Sequence, residues 1–212
     1  MKYNTNTLSG PAETMEIERV WFTSDNHFYH SNILQYCNRP FADVYEMNDI
    51  LIDNWNSLIS NKDVVYHLGD FGFGATELLK FVRNKLNGYI ILVRGNHDRS
   101  QQSMLTAGFN EVHFKVTVRY QTYNFLLKHK PLNEEEARLV EKETIVLCGH
   151  IHSKPEDKLR IINNFLHYDV GVDPNDYFPV NLDKICEQIE NFNKRETIGL
   201  DTNRFGTLAG EI

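Results

Sequence analysis

The sequence predicts an α/β fold built as one domain, and three observations predict it. Residues 63–93 run strand, helix, strand with glycine punctuation, a short apolar strand ahead of them stops abruptly at Asp25, and two later stretches each hold a pair of β-prone runs. The first pattern implies parallel strands joined by a helical crossover and the last implies antiparallel pairing, so both kinds of strand belong to the core.

Composition sets the outer limits. Of the 212 residues, 41% are hydrophobic, 12% aromatic and 24% charged, values that build a core and exclude a disordered chain. No apolar run approaches the ~18 residues that span a bilayer, so no membrane association is expected. Residues 1–17 are polar and aperiodic and read as a flexible leader without a secretory signal, which places the protein in the cytoplasm. Cys37, Cys148 and Cys186 are odd in number and match no zinc spacing, so buried reduced thiols are expected. With 22 Lys and Arg against 29 Asp and Glu, the net charge of −7 supplies no global basic field. Nucleic acid is therefore not the favoured partner, although bound divalent cations would make an acidic chain locally attractive to phosphate.

The elements follow in order. Arg19 to Ser24 is a short buried strand that hands over to a loop at a sheet edge. Ser31 can cap a helix through Cys37, and Tyr45 to Ile59 places Met47, Ile50, Leu51, Trp55 and Leu58 on one helical face. Asp63 to Leu68 reads as a strand, Ala75 to Leu86 as an amphipathic helix, and Tyr89 to Val93 as the next strand. Glu111 to Arg119 and Thr122 to Lys128 read as antiparallel strands turning at Tyr120-Gln121, and Thr144 to Cys148 as a further apolar strand. Arg160 to Phe165 and His167 to Val172 make another pair before a closing helix, Leu182 to Phe192, with Ile185, Ile189 and Phe192 inward. The domain thus covers residues 18–193, residues 194–212 form a peripheral tail, and no repeat or linker divides the chain.

Five short clusters sit where predicted strands end: Asp25-Asn26-His27, Gly69-Asp70, Gly95-Asn96-His97-Asp98, His129 and Gly149-His150-Ile151-His152. Each is rich in the oxygen and imidazole donors that hold first-row divalent metals. Alone, each is weak, because a lone histidine is usually a hydrogen-bonded or solvated side chain. In Asp25-x-His27 and His150-x-His152, alternate residues of an extended segment would point one way and reach a common centre. Gly69, Gly95 and Gly149 each precede a candidate ligand, where a tight turn or a close backbone approach leaves no room for a Cβ.

Taken together and in this order, DxH, GD, GNHD, H and GHxH resemble the calcineurin-like metallophosphoesterase family, from about Phe22 to Val172. Thr23-Ser24-Asp25-Asn26-His27-Phe28-Tyr29-His30 and Asn38-Arg39-Pro40-Phe41 resemble its small single-domain bacterial and phage branch. The resemblance implies a sandwich of two mixed β-sheets flanked by helices, with the metal-binding loops at one edge. It implies two divalent ions, one held by Asp25, His27, Asp70 and His152 and the other by Asp70, Asn96, His129 and His150, with Asp70 bridging. Two carboxylate oxygens can serve two cations about 3.5 to 4 Å apart. Manganese is the first choice, with iron, nickel, zinc, cobalt or magnesium as alternatives. His97 matches the family's catalytic histidine, a general acid oriented by Asp98, and the implied nucleophile is a metal-bridging hydroxide.

Arg39 and His30 are candidate substrate contacts, Arg39 as a bidentate phosphate clamp. Arg94 and Arg99 read more simply as solvated charges, His67, His113 and His167 as structural, and Trp21 and Trp55 as core. The short spans between Asp70 and Asn96 and between His129 and His150 leave no chain for a cap, so the site should be open. The function these residues imply is hydrolysis of a phosphodiester or phosphomonoester, of a small nucleotide-like substrate. A nuclease of short or single-stranded ends and a non-catalytic metal-binding scaffold are the alternatives, and the oligomeric state is not legible.

Overall fold

The computed structural model describes residues 18–205, with side chains through Arg195. The leader expected at 1–17 and residues 206–212 of the expected tail lie outside the described residues. In chain order the elements are β1 (Val20–Thr23), α1 (Ile33–Tyr36), α2 (Val44–Leu58), β2 (Val64–His67), α3 (Thr76–Arg83), β3 (Tyr89–Val93), α4 (Gln101–Thr106), β4 (Glu111–His113), β5 (Val116–Tyr120), β6 (Tyr123–Leu127), α5 (Glu134–Ala137), β7 (Thr144–Cys148), β8 (Leu159–Ile162), β9 (Phe165–Asp169), β10 (Val180–Asn181) and α6 (Leu182–Phe205).

They form two five-stranded mixed sheets, ordered β10-β1-β2-β3-β4 and β5-β6-β7-β9-β8. In the first, β1 to β4 are parallel and β10 is antiparallel; in the second, β6, β7 and β9 are parallel between antiparallel edges. Strand alternation divides the core into layers. Val20, Phe22, Tyr66, Ile91 and Val93 face Phe125, Leu127, Leu147 and Tyr168 between the sheets, where Ile185 and Ile189 of α6 also pack. Trp21, Val65, Ile90 and Leu92 point the other way, against Met47, Leu51, Trp55, Leu79 and Met104 of the helices. On the outer face of the second sheet, Val146, Cys148 and Phe165 pack with Leu132.

Several boundaries differ from the sequence expectation, each for a local reason. The run Glu111 to Arg119 is not one strand: β4 pairs with β3 in the first sheet and β5 with β6 in the second. Val112, Phe114, Val116 and Val118 alternate without a break, so nothing in the pattern marks where the chain changes sheets. The β8–β9 hairpin turns at Asn163-Asn164, whose φ values of 50° and 67° mark the left-handed pair of a two-residue loop, rather than at Leu166. α1 begins at Ile33 without a side-chain cap, whereas α2 is capped by Asp43, which accepts the Tyr45 and Glu46 N–H groups. α2 buries Ile52 and Asn48 where Ile50 was expected. The short elements α4, α5 and β10 carry too few periodic residues to be read, and α6 runs past Phe192 to Phe205. Among the described residues, no helix is long and apolar enough to cross a membrane.

Candidate metal centre and active site

The parallel strands β1, β2 and β3, and β6, β7 and β9, present their C-terminal ends at one edge of the sandwich, where a bridge between Ser24 and Gly171 joins the two sheets. All five chemistry-bearing clusters are therefore in one place, the position open α/β sheets favour for ligands. How the side chains converge differs from the sequence expectation. Asp25, His27, Asp70, His150 and His152 all have positive φ, between 49° and 69°, so neither spaced pair lies on an extended segment. Left-handed backbone at non-glycine residues costs about 1 to 3 kcal/mol each and persists only where surroundings impose it. Here the surroundings are backbone bonds between loops: Asp25 N–H to Gly69 O, His27 N–H to Asp70 O, and Gly149 N–H to His129 O.

On one side of the centre, Asp25 Oδ1 lies 3.9 Å from both His27 Nε2 and His152 Nε2, and His27 Nε2 lies 3.8 Å from Asp70 Oδ2. Two of these atoms, Asp25 Oδ1 and His27 Nε2, are fully buried and have no hydrogen-bond partner. Burial pushes the Asp25 carboxyl up to about 7 and the His27 imidazole down to about 3, so neither charged form is satisfied by protein alone. Donors each about 2.0 to 2.3 Å from one ion lie roughly 3 to 4 Å apart, so the residues present fit a divalent cation. The second side is built likewise. Asp70 Oδ2 is 3.3 Å from His129 Nε2, which is 3.1 Å from Asn96 Oδ1, and Asp70, His129 and His150 bring their donor atoms within 4.8 Å of one another. Asp70 Oδ2 thus lies within 4 Å of an imidazole nitrogen in each group.

The imidazole tautomers suit this role. His129 Nδ1 lies 2.8 Å from Leu68 O and His152 Nδ1 lies 2.7 Å from Asp173 Oδ2, so each Nδ1–H donates outward and leaves Nε2 facing the centre. Burial opposes the charge on His152, but the bonds to Asp173 and Cys37 and the charges of Asp25 and Asp173 together outweigh it and raise the group to about 10. A cation at Nε2 would replace that proton. His27 Nδ1 lies 3.3 Å from His30 Nδ1, a bond that presents His27 Nε2 inward in the same way. His67 Nε2 donates to Asn26 Oδ1 at 2.9 Å and holds the residue between two candidate ligands, so its structural assignment stands with a position attached.

Three supporting features decide the geometry. A Cβ on Gly95 would stand 2.1 Å from Asp70 Oδ1, and one on Gly149 would stand 2.2 Å from Asp25 Oδ2, so both glycines are close-approach positions. The Gly95→Ala protein should retain the fold with about 1 to 3 kcal/mol less stability and lose bound metal, read by thermal unfolding and elemental analysis. Asp98, expected to orient His97, does not: its two oxygens accept the backbone N–H groups of Asp70, Phe71 and Gly95, clamping the Asp70 loop to the Gly95 loop. Arg39, expected as a phosphate clamp, is buried. Its five N–H donors reach Asp173 Oδ1 and Oδ2, Asn26 O, Asp25 O and Met47 Sδ, leaving none for a substrate. Asp173, which the sequence analysis did not single out, therefore joins Arg39 to His152; its place after a strand end in line with the other clusters was the available signal. Cys148 and Cys186 are buried free thiols, while Cys37 is half-buried and shares a cluster with His152 and Asp173.

Residues 19–171 match the calcineurin-like phosphoesterase superfamily domain, which is most of the chain. The chain belongs to the calcineurin-like phosphoesterase superfamily. Relatives include an uncharacterized protein, MJ1445, of Methanocaldococcus jannaschii, 38% identical over 83% of this chain and 94% of its own, and the gene 66 protein of Mycobacterium phage L5, 27% identical over 74% and 87%. Among solved structures, a protein of unknown function from Aquifex aeolicus, AQ665, matches with a TM-score of 0.65 and 26% identity, covering 80% of this chain and 98% of its own. The match spans most of the length of each of these proteins, and membership in the superfamily makes the chain a metal-dependent phosphoesterase.

The rim of this calcineurin-like centre is open. His97 lies beside Asp70, its N–H on Asp70 Oδ1 at 2.9 Å and its Nε2 3.9 Å from Asp70 Oδ2, with its side chain 44% exposed. His150 is exposed as well. Beyond Asn96 and His129 runs a cleft of about 410 Å³ bordered by Arg94, Phe114, Lys128 and Lys130. Arg94 lies over the Phe114 ring at 5.3 Å, and Arg99 bonds Gly74 O. His113 pairs with Glu111 and His167 accepts the Leu132 N–H, both away from the site.

Proposed function

We propose that the protein hydrolyses a phosphodiester or phosphomonoester of a nucleotide-like substrate at a centre of two divalent ions, manganese first among the candidates. The observation that carries the reading is the pair of buried, partnerless atoms Asp25 Oδ1 and His27 Nε2 facing the shared carboxylate Asp70. Asp25, His27, Asp70 and His152 would hold one ion and Asp70, Asn96, His129 and His150 the other. When bound, such ions polarise the phosphoryl group and activate water. The chain's residues supply the rest. Asn96 and His150 are exposed on the outer side of the centre, His129 is buried beneath them, and Asp70 accepts the His97 backbone N–H and so anchors that residue. A water oxygen forms the new bond to phosphorus, the bond to the departing alcohol breaks, and protonated His97 Nε2 gives its proton to the alcohol oxygen and regains one from water.

Chelator-stripped protein resupplied with manganese, nickel, zinc or magnesium is expected to release p-nitrophenol from bis-p-nitrophenyl phosphate or p-nitrophenyl phosphate. Absence of release with two equivalents of metal demonstrably bound would overturn the reading. In the His97→Ala protein, turnover should fall by about 10²- to 10⁴-fold while metal content stays at the wild-type level. Full activity in that variant would remove the acid role from His97.

A further inference from the structure

Next to His97 and away from the Arg94 cleft stands a continuous row of rings. His30 is stacked on Phe73 with centroids 4.9 Å apart and an interplanar angle of 18°, Tyr36 meets His30 edge-on at 6.2 Å, and His97 lies 6.2 Å from His30 and 6.4 Å from Phe73. The row reaches the metal centre itself, since His27 is 5.3 Å from His30 and 5.6 Å from His97. Its outer members are unusually bare for large apolar rings: Tyr36 is 72% exposed and Phe73 50%. Exposed aromatics scattered singly carry no meaning, but these two converge on one histidine at the mouth of a catalytic centre.

We propose that Phe73 and Tyr36, ranged around His30 beside His97, form the leaving-group subsite, and that it takes esters whose departing alcohol carries a planar heteroaromatic ring such as a nucleobase. The inference rests on the general-acid role proposed for His97, because the group that protonates the departing oxygen must lie on the side to which the alcohol leaves. That side is the ring row. Planar bases stack on aromatic faces with little demand for sequence or substituent, and the one guanidinium bonded beside Phe73, that of Arg99, is held on Gly74 O. The proposal therefore specifies a nucleoside as the departing alcohol and one phosphate, seated at the metals.

The test uses the metal-loaded protein and two matched pairs: adenosine 5′-monophosphate against ribose 5-phosphate, and the methyl diesters of each. The wild type should favour the base-bearing member of each pair by roughly tenfold or more in kcat/KM, through KM, and should cleave the adenosine methyl diester to adenosine and methyl phosphate. That preference should collapse in Phe73→Ala, weaken in Tyr36→Ala and survive in Phe73→Trp, with unchanged melting temperatures showing that the fold is intact. Calorimetric binding of adenosine monophosphate and ribose phosphate separates the two readings. Tighter binding of the nucleotide that is lost in Phe73→Ala, with no turnover of any ester, would sink the hydrolytic reading and leave the ring subsite standing. Equal affinities, release of adenosine monophosphate and methanol, or loss of preference in Phe114→Ala instead would overturn the subsite.

Discussion

The Asp70→Asn protein is expected to lose metal-dependent ester hydrolysis by roughly a thousandfold or more, a loss of several kcal/mol of transition-state stabilisation. Asp70 Oδ2 is the atom common to both halves of the centre, 3.8 Å from His27 Nε2 and 3.3 Å from His129 Nε2, so no other side chain can substitute for it. Its Oδ1 accepts the His97 N–H, so the same carboxylate also places the proposed acid. Burial raises the Asp70 carboxyl, yet the His129 bond and the His97 N–H outweigh it and hold the group ionised, which is the form a cation requires. Asparagine keeps the size and the Oδ1 acceptor while removing the charge, so the fold should survive with little change in melting temperature. Elemental analysis of the purified variant should show loss of both metals. Retention of both with wild-type turnover would rule out Asp70 as the bridge.

Arg39→Met should behave as the loss of a structural clamp. Breaking a buried ion pair by removing one partner costs about 3 to 5 kcal/mol, on the order of 10 °C in melting temperature for a chain of this size. Asp173 would keep only His152, and the carbonyls of Asp25 and Asn26 would lose buried donors. The Asp173 bond orients His152, so metal affinity should also fall, by about 10- to 100-fold. A phosphate-clamping arginine would show the opposite pattern: a raised KM with melting temperature and metal content unchanged. Thermal unfolding beside a metal titration therefore decides between the roles, and a KM effect alone would restore the substrate contact.

The two arginine readings show where sequence reasoning reached its limit. Arg39 follows the first ligand cluster closely in the chain, which made a substrate contact a reasonable expectation. Its true partner, Asp173, lies far along the sequence, and no spacing rule links them. Asp98 misled in the same way. The resemblance implied a carboxylate orienting His97, whereas the carboxylate accepts the N–H groups of Asp70, Phe71 and Gly95. His30 lies 6.2 Å from the His97 ring, and its bond to His27 gives it an orienting role that the sequence did not suggest.

What the sequence by itself determined was the inventory and its address. The order Asp25-x-His27, Gly69-Asp70, Gly95-Asn96-His97-Asp98, His129 and Gly149-His150-x-His152 placed each cluster at a strand end, and hydrophobic periodicity placed the strands, because both depend on neighbours within a few residues. Only the tertiary structure decided how these residues meet. It split Glu111 to Arg119 between two sheets, set Asp25, His27, Asp70, His150 and His152 in left-handed backbone, and brought Arg39 to Asp173. Those outcomes are imposed by contacts between loops distant in the chain, which overcome local preferences of a kcal/mol or so per residue, and local preference is all that a sequence pattern records.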